Sequence, residues 1–411
     1  MNQQKLAING ARLRQTLEDL SAFGATERRG VTRLALTNED MNARNYFKEQ
    51  CEVLGMVVTV DDMGVMYSKL EGKNPDLPAI YVGSHLDSVQ KGGRFDGVLG
   101  VVAGLEVVRY LVEEDIQPEC SIIVVNFTNE EGARFEPSMM ASGVIAGKFD
   151  KDKMLNTRDT SDITVQEALQ DIGYVGLVEN RMTHGKAFLE LHIEQGPVLE
   201  AESLKIGAVE CVVGMSCYEI EIRGESNHAG TTPQQMRRDA LTAANRCMTA
   251  LHEKLGKLDP TLVYTMGRFN VFPNIHTVIP NKVVFSLEAR HQSAEILQKV
   301  EDIIHAIVSG MQGECGQSVK KLWSRETVWF DPDLVHRIEK AAQTLDLSFK
   351  RMVSGAGHDA QFISTMMPTA MIFVPSAGGK SHDEDEYTSW EECENGVNLL
   401  LETVLELSGS R

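Results

Sequence analysis

The sequence contains no C-x-x-C pair, no Lys/Arg stripe and no apolar run of membrane-spanning length among its 411 residues. Each absence removes a class of protein. Its seven cysteines (Cys51, Cys120, Cys211, Cys217, Cys247, Cys315 and Cys393) are odd in number and scattered, which argues against a thiolate metal cage and a disulfide framework. Most of them read as small buried hydrophobes in a reducing, cytoplasmic setting. The uncharged run 97–105 falls far short of the ~20 residues a spanning helix needs, and residues 1–10 lack the continuous apolar stretch of an export signal. Positive charge is also short. Against 59 Asp+Glu stand 40 Lys+Arg, a formal charge of −19 that repels phosphate backbones and anionic lipid headgroups. Nucleic acid and membrane are therefore not expected as partners. Hydrophobic residues at 42% and charged residues at 24% exclude global disorder, and the length suits two or three domains.

What is present is an alternation of strand-like and helix-like patterns. A short β-branched run closes 54–60, and a compact apolar strand is expected at 77–84. Over 97–114 apolar residues recur at helical spacing (Val101, Leu105, Val108, Leu111, Val112), and 121–127 is a β-branched run of the kind buried on both faces. Strand, helix, strand in this order is a βαβ unit with parallel strands and a right-handed crossover, which makes the fold class α/β. Another strand is expected at 186–193. From about Ile206 the texture changes. Alternation at 218–223, a helix over 233–255, strands at 262–268 and 282–290, a second helix over 293–311 and a strand at 318–323 predict an antiparallel sheet with helices on one face. The βα texture returns with a helix over 332–345, a strand at 370–374 and a helix over 389–407. The expected organisation is a discontinuous α/β domain, 1–208 and 327–411, carrying an inserted α+β domain, 209–326. The acidic run Asp383-Glu384-Asp385-Glu386 reads as a solvated loop.

Metal-ligating residue types gather after the candidate parallel strands, where open α/β sheets place their ligands. His85-Leu86-Asp87 follows the first strand, with Asp96 between glycines at 92–97; Glu130-Glu131 follows the second, His192 ends the third, and Ser381-His382 follows the fourth. Singly, each has an ordinary explanation as a loop histidine, a solvated acidic pair or an Asx turn. At the same end of successive strands, adjacent carboxylates would repel unless a cation neutralised them. Three imidazoles and several carboxylates without a thiolate make an N/O donor set for two divalent metal ions. Zinc suits it, with manganese, cobalt or nickel as alternatives.

The motifs H-x-D (His85, Asp87), G-G-x-x-D-G (Gly92 to Gly97), E-E-G-x-R-F (Glu130 to Phe135), E-L-H-I-E-Q-G (Glu190 to Gly196), N-H-A-G-T-T-P (Asn227 to Pro233), S-G-A-G-H-D-A (Ser354 to Ala360) and S-H (Ser381-His382) follow in order across most of the chain. Together they resemble the hydantoinase/carbamoylase subfamily of the zinc aminoacylase and M20-type metallopeptidase superfamily. Its members include N-carbamoyl-L-amino-acid hydrolases, allantoate and ureidoglycolate amidohydrolases and β-ureidopropionases. The resemblance implies that Asp96 bridges two metals, one held also by His85 and His192, the other by Glu131 and His382. His192 stands where the peptidase branch often has a carboxylate, which points to the amidohydrolases. Asp87 would fix the tautomer of His85 from behind. Glu130 would take a proton from a metal-bridging water and deliver it to the leaving nitrogen. His228, in the inserted domain, would serve as oxyanion donor in the active site of a partner subunit, making the catalytic unit a homodimer.

For the substrate's carboxylate the resemblance implies Arg290 as a bidentate partner, from either subunit, together with Gln195 and the backbone at Gly357, where a helix N-terminus would offer free amides. The chain departs from the family at Thr277, which precedes Val278-Ile279-Pro280 where Asn is usual, with Asn274 nearby. It also lacks the Gln-Arg that allantoate hydrolases tend to carry after the glycine preceding Met215, which speaks against allantoate. The implied function is a dinuclear-metal amidohydrolase acting on a small anionic amide or ureide. An N-carbamoyl-L-amino acid comes first, giving the amino acid, ammonia and carbon dioxide; allantoate, ureidoglycolate or an N-acyl amino acid are alternatives. A non-catalytic metal-binding scaffold is a different class of reading, and it would not need Glu130 as a proton carrier.

Overall fold

The computed structural model describes residues 7–311 and 315–410; residues 1–6, part of the amino-terminal segment considered above, lie outside them. No helix among the described residues is long and apolar enough to cross a membrane. The chain divides into two compact units, Met1–Glu210 with Trp329–Arg411, and Cys211–Val328, each boundary two residues later than expected.

In chain order the strands are β1 (Val57–Val60), β2 (Met66–Leu70), β3 (Ile80–His85), β4 (Ile122–Phe127), β5 (Ala187–Ile193), β6 (Ile206–Val212), β7 (Gly214–Arg223), β8 (Val263–Thr265), β9 (Phe269–Phe272), β10 (Lys282–His291), β11 (Gly316–Arg325), β12 (Val328–Trp329), β13 (Phe349–Ser354) and β14 (Thr369–Val374). The larger sheet has the order β1-β2-β4-β3-β5-β14-β6-β12, with β13 on β6. Its centre is parallel, β4 with β3, β3 with β5 and β5 with β14, while β2 and β6 flank that centre antiparallel to it. Every residue of β3, β5 and β14 is buried, as strands covered on both faces must be. The crossover helix Val98–Glu113 is buried around most of its circumference, so its sequence is apolar beyond a single stripe. The last helix, Trp390–Leu407, opens on a capping box in which Ser389 Oγ accepts the Glu392 amide at 3.2 Å and the Glu392 carboxylate accepts the Ser389 amide at 3.1 Å.

The second unit is an antiparallel sheet of order β11-β7-β10-β8, with β9 also on β10. β10 alternates buried and half-buried residues along its length; Val283, Phe285, Leu287 and Ala289 form a core with the helices Ala240–Leu255 and Ala294–Gly310. Two expectations change here. The helix expected from 233 begins at Ala240, because the Asp239 carboxylate caps it by accepting the amides of Leu241 and Thr242, at 2.9 and 3.1 Å. The strand expected at 262–268 is only the short β8, and a strand not expected, β9, follows it; the two pair with opposite halves of β10. All seven cysteines are buried.

Candidate active site

The parallel strands bring their carboxyl ends to one edge of the sheet. β3 ends on His85, β5 ends one residue after His192, Glu130 and Glu131 follow β4, and Ser381-His382 follow β14. Asp96 stands between these groups. Its Oδ1 lies 3.1 Å from His192 Nε2 and 3.8 Å from His85 Nε2, and its Oδ2 lies 3.2 Å from His382 Nε2. His382 Nε2 is also 3.3 Å from Glu131 Oε2. Donor atoms of His85, Asp96 and His192 all lie within 4.8 Å of one another, and so do those of Asp96, Glu131 and His382. Glu130 Oε2 is 3.6 Å from His85 Nε2. The side chains are buried except for His382, which is half exposed. Gly97 lets the chain turn from Asp96 into the crossover helix. Its φ is +66°, and a Cβ there would fall 2.3 Å from the His85 ring.

Charge is poorly balanced in this pocket. Burial, then the charges of Asp359 and Glu131, push Glu130 well above the usual carboxylate range; burial, then Asp96 and Asp87, do the same to Glu131. Burial would raise Asp96 too, but hydrogen bonds from His192 and His382 hold it well below that range. Burial opposes charge on His192, yet its bond to Asp96 outweighs this and lifts it to about 9. Protons are thus doing what a cation would do better. Glu131 Oε1 and Gln195 Oε1 are buried without a hydrogen-bond partner among the described residues. Oxygens left open beside imidazoles and a shared carboxylate fit a divalent metal ion.

The tautomers agree with that fit. His85 Nδ1 lies 2.9 Å from the Asp87 carbonyl and His192 Nδ1 2.9 Å from the Ile193 carbonyl, so each Nδ1 donates and each Nε2, which faces Asp96, is the nitrogen that would offer its lone pair to a metal ion. This corrects the role expected for Asp87. Its carboxylate stands 4.0 Å from His85 and instead accepts the amides of Glu130 and Glu131, both at 3.3 Å, anchoring the acidic turn.

Two supporting residues escape a reading of the sequence. Glu386, in the run expected to be a solvated loop, is 4% exposed. Its Oε1 accepts the amides of Phe95 and Asp96, both at 3.1 Å, and its Oε2 accepts the Ser381 hydroxyl at 2.8 Å, so it ties the Asp96 turn to the His382 segment. Nothing in the charge pattern sets it apart from its acidic neighbours. Glu190 accepts the Ser84 hydroxyl at 2.7 Å and the Ala360 amide at 3.1 Å. Its signal was present, since the period of a strand places it on the same face as His192. Glu190, His192 and His358 form a third group with metal-ligand spacing. Both Glu190 oxygens are engaged, and His358 Nε2 lies 3.0 Å from Ser354 Oγ, which suits a buttress.

Among the expected substrate residues, Gln195 joins the cluster: its Nε2 donates to Asp96 Oδ2 at 2.8 Å and lies 3.1 Å from Ser381 Oγ. Gly357 does not open a helix. The helix there is Ala360–Ile363, and its first amides are taken by Glu190, His358 and Asp359. In the second unit His228, Asn274 and Thr277 are exposed. His228 pairs with Val278, and the Thr277 carbonyl accepts the Ala229 amide at 2.9 Å, so Thr277 touches the His228 loop through its main chain. Asn274 sits in a turn with φ +60°. Arg290, on β10, lies 2.7 Å from the Glu288 carboxylate.

Residues 81–406 match peptidase family M20/M25/M40. The chain is 37% identical to an N-carbamoyl-L-amino-acid amidohydrolase of Rhizobium meliloti, over 97% of this chain and 96% of that one. It is 34% identical to an allantoate amidohydrolase of Bacillus subtilis, over 99% and 100%. The crystal structure of an amidase of the hydantoinase/carbamoylase family from Burkholderia multivorans superposes with a TM-score of 0.92 at 39% identity, covering 98% of both chains. With relatives aligned end to end and the metal-ligand motifs lying together at one sheet edge, the chain belongs to peptidase family M20/M25/M40, in its hydantoinase/carbamoylase group.

Proposed function

We propose that this amidohydrolase cleaves the carbamoyl group from an N-carbamoyl-L-amino acid. Its class, hydrolysis of non-peptide C–N bonds in linear amides, follows from the group to which it belongs. The observation that carries the proposal is Asp96, which shows one oxygen to His85 and His192 and the other to His382 beside Glu131. His85, Asp96 and His192 would hold one divalent ion, and Asp96, Glu131 and His382 a second, with zinc the metal that this donor set suits. When bound, such ions polarise a carbonyl and lower the pKa of water.

Glu130 does the proton work. Its carboxylate accepts a proton from the water that adds to the carbamoyl carbon, then delivers it to the nitrogen that leaves. The C–N bond breaks, and the carbamic acid that remains decomposes, so that the products are the amino acid, ammonia and carbon dioxide. The Asp87 carboxylate holds Glu130 and Glu131 in place through their amides. His228 donates to the carbonyl oxygen as negative charge gathers there, and does so across a homodimer. Arg290 exchanges Glu288 for the substrate carboxylate, with Gln195, Asn274, Thr277 and the Gly357 backbone completing the contacts.

Ammonia release from a panel of N-carbamoyl-L-amino acids, allantoate and ureidoglycolate, after divalent metal is restored, tests the substrate. N-acetyl and N-formyl amino acids join the panel with amine detection. The highest kcat/KM is expected on a carbamoyl amino acid; a higher value on allantoate, ureidoglycolate or an N-acyl amino acid overturns the assignment.

A further inference from the structure

His228 is exposed, yet its loop is held from two sides within the inserted unit. On one side Asn227 Oδ1 accepts the His228 amide at 2.8 Å, the Thr277 carbonyl accepts the Ala229 amide at 2.9 Å, and the Asn227 carbonyl accepts the Ile279 amide at 2.9 Å. On the other, Arg237 Nε donates to the Thr232 carbonyl at 2.9 Å and its Nη2 to the Ala229 carbonyl at 2.6 Å. A planar guanidinium makes both bonds in a single orientation, so it spans the loop as a latch.

Inside the loop the Gly230 amide donates to His228 Nδ1 at 3.0 Å. An amide nitrogen can only donate, so Nδ1 carries a lone pair and the proton of the neutral ring sits on Nε2. Glycine at 230 keeps the amide close: a Cβ there would lie 3.2 Å from His228 Cε1 and crowd the ring away.

We propose that the Gly230 amide and Arg237 are positioning elements that hold His228 as a fixed Nε2–H donor. The inference rests on the reading of His228 as oxyanion donor and deepens it. A carbonyl oxygen gaining negative charge needs an N–H already aimed at it, and the other tautomer would turn a lone pair toward that charge. An exposed imidazole without the loop would exchange tautomers and rotate; here the reorganisation is completed before substrate arrives.

The test uses the full-length protein with its metal, labelled with ¹⁵N-histidine and observed by two-bond ring correlations at alkaline pH. The His228 signal is assigned by its loss in His228→Gln. One fixed pattern is expected, with Nδ1 unprotonated and Nε2 protonated. Arg237→Ala should shift it toward a tautomer average and lower kcat about tenfold to a hundredfold, with metal content unchanged, and Arg237→Lys should recover part of both. Gly230→Ala, which keeps the amide and crowds the ring, should shift the pattern in the same direction and provides the reading if Arg237→Ala does not fold. An averaged or Nδ1–H ring in the unsubstituted protein overturns the proposal, as does an Arg237→Ala protein with lowered kcat and an unmoved pattern. Undiminished kcat in His228→Gln would remove the oxyanion reading, while the spectrum of the unsubstituted protein would still decide the tautomer.

Discussion

The two units of this chain handle charge in opposite ways. The unit built on the parallel strands buries carboxylates in number, among them Asp40, Asp61, Asp87, Asp96, Glu106, Glu190 and Asp359. In the inserted unit the buried polar side chains among the described residues are Ser216 and His291, and no carboxylate is among them. A sheet with one wet face can sort its residues by alternation, so its core needs nothing but shape. A buried acid needs amides, imidazoles or a cation around it, and its energy then depends on what is bound. The comparison teaches that one unit answers to packing and the other to protons and metal ions.

The sharpest way to probe this is Glu130→Gln. It should retain metal and substrate while kcat falls about 10²- to 10⁴-fold; metal analysis and steady-state kinetics decide, and unchanged turnover would remove Glu130 as the proton carrier. In the inserted unit Phe285 is fully buried, and Phe285→Ala should cost about 3–5 kcal/mol in denaturant titration through the cavity it leaves. The loss should be the same with and without added metal, and a metal-dependent loss would break the contrast between the units.

Asp61 tests the buried acids away from the cluster. Burial, opposed by bonds from the Tyr67 hydroxyl and the Val65 and Met63 amides, raises it to about 6. Because the folded value exceeds the unfolded one of about 3.9, the stability tied to its proton is complete below about pH 4 and is lost as pH climbs through about 6. The effect is at most about 3 kcal/mol. The stability difference between the native protein and Asp61→Asn should therefore move against the native protein as pH rises across that window; a constant difference would place the titration elsewhere. The smallest change is expected from Glu386→Gln, with metal retention against a chelator weakened about 10- to 100-fold. Unaltered retention would reduce Glu386 to a loop prop.

How much of this could be read beforehand differs by region for the same physical reason. Strand and helix periods are local, so β3, β4, β5, β10 and the crossover helix stand close to their expected places. The residues gathered at the sheet edge follow from parallel strands ending on the same side. What stayed hidden depends on atoms rather than spacing. H-x-D spacing does not tell whether the carboxylate or the carbonyl of Asp87 meets His85. A run of four acids does not reveal that its last member turns inward onto two amides. Nor does a glycine before a short helix reveal that the first amide of that helix already belongs to Glu190.

Asp96 has a final consequence. One carboxylate serves both donor groups, and Gln195 and Ser381 also hold its Oδ2. If each group takes a cation, the first to enter would orient that carboxylate and withdraw charge from it, so the second group would not meet the same ligand the first one did. Occupancy of the two would then be linked, and by reciprocity each ion would change the affinity of the other by the same factor. A binding isotherm for this protein should not be a sum of two independent hyperbolas, and its shape reports whether the shared oxygen pair helps or hinders the second arrival.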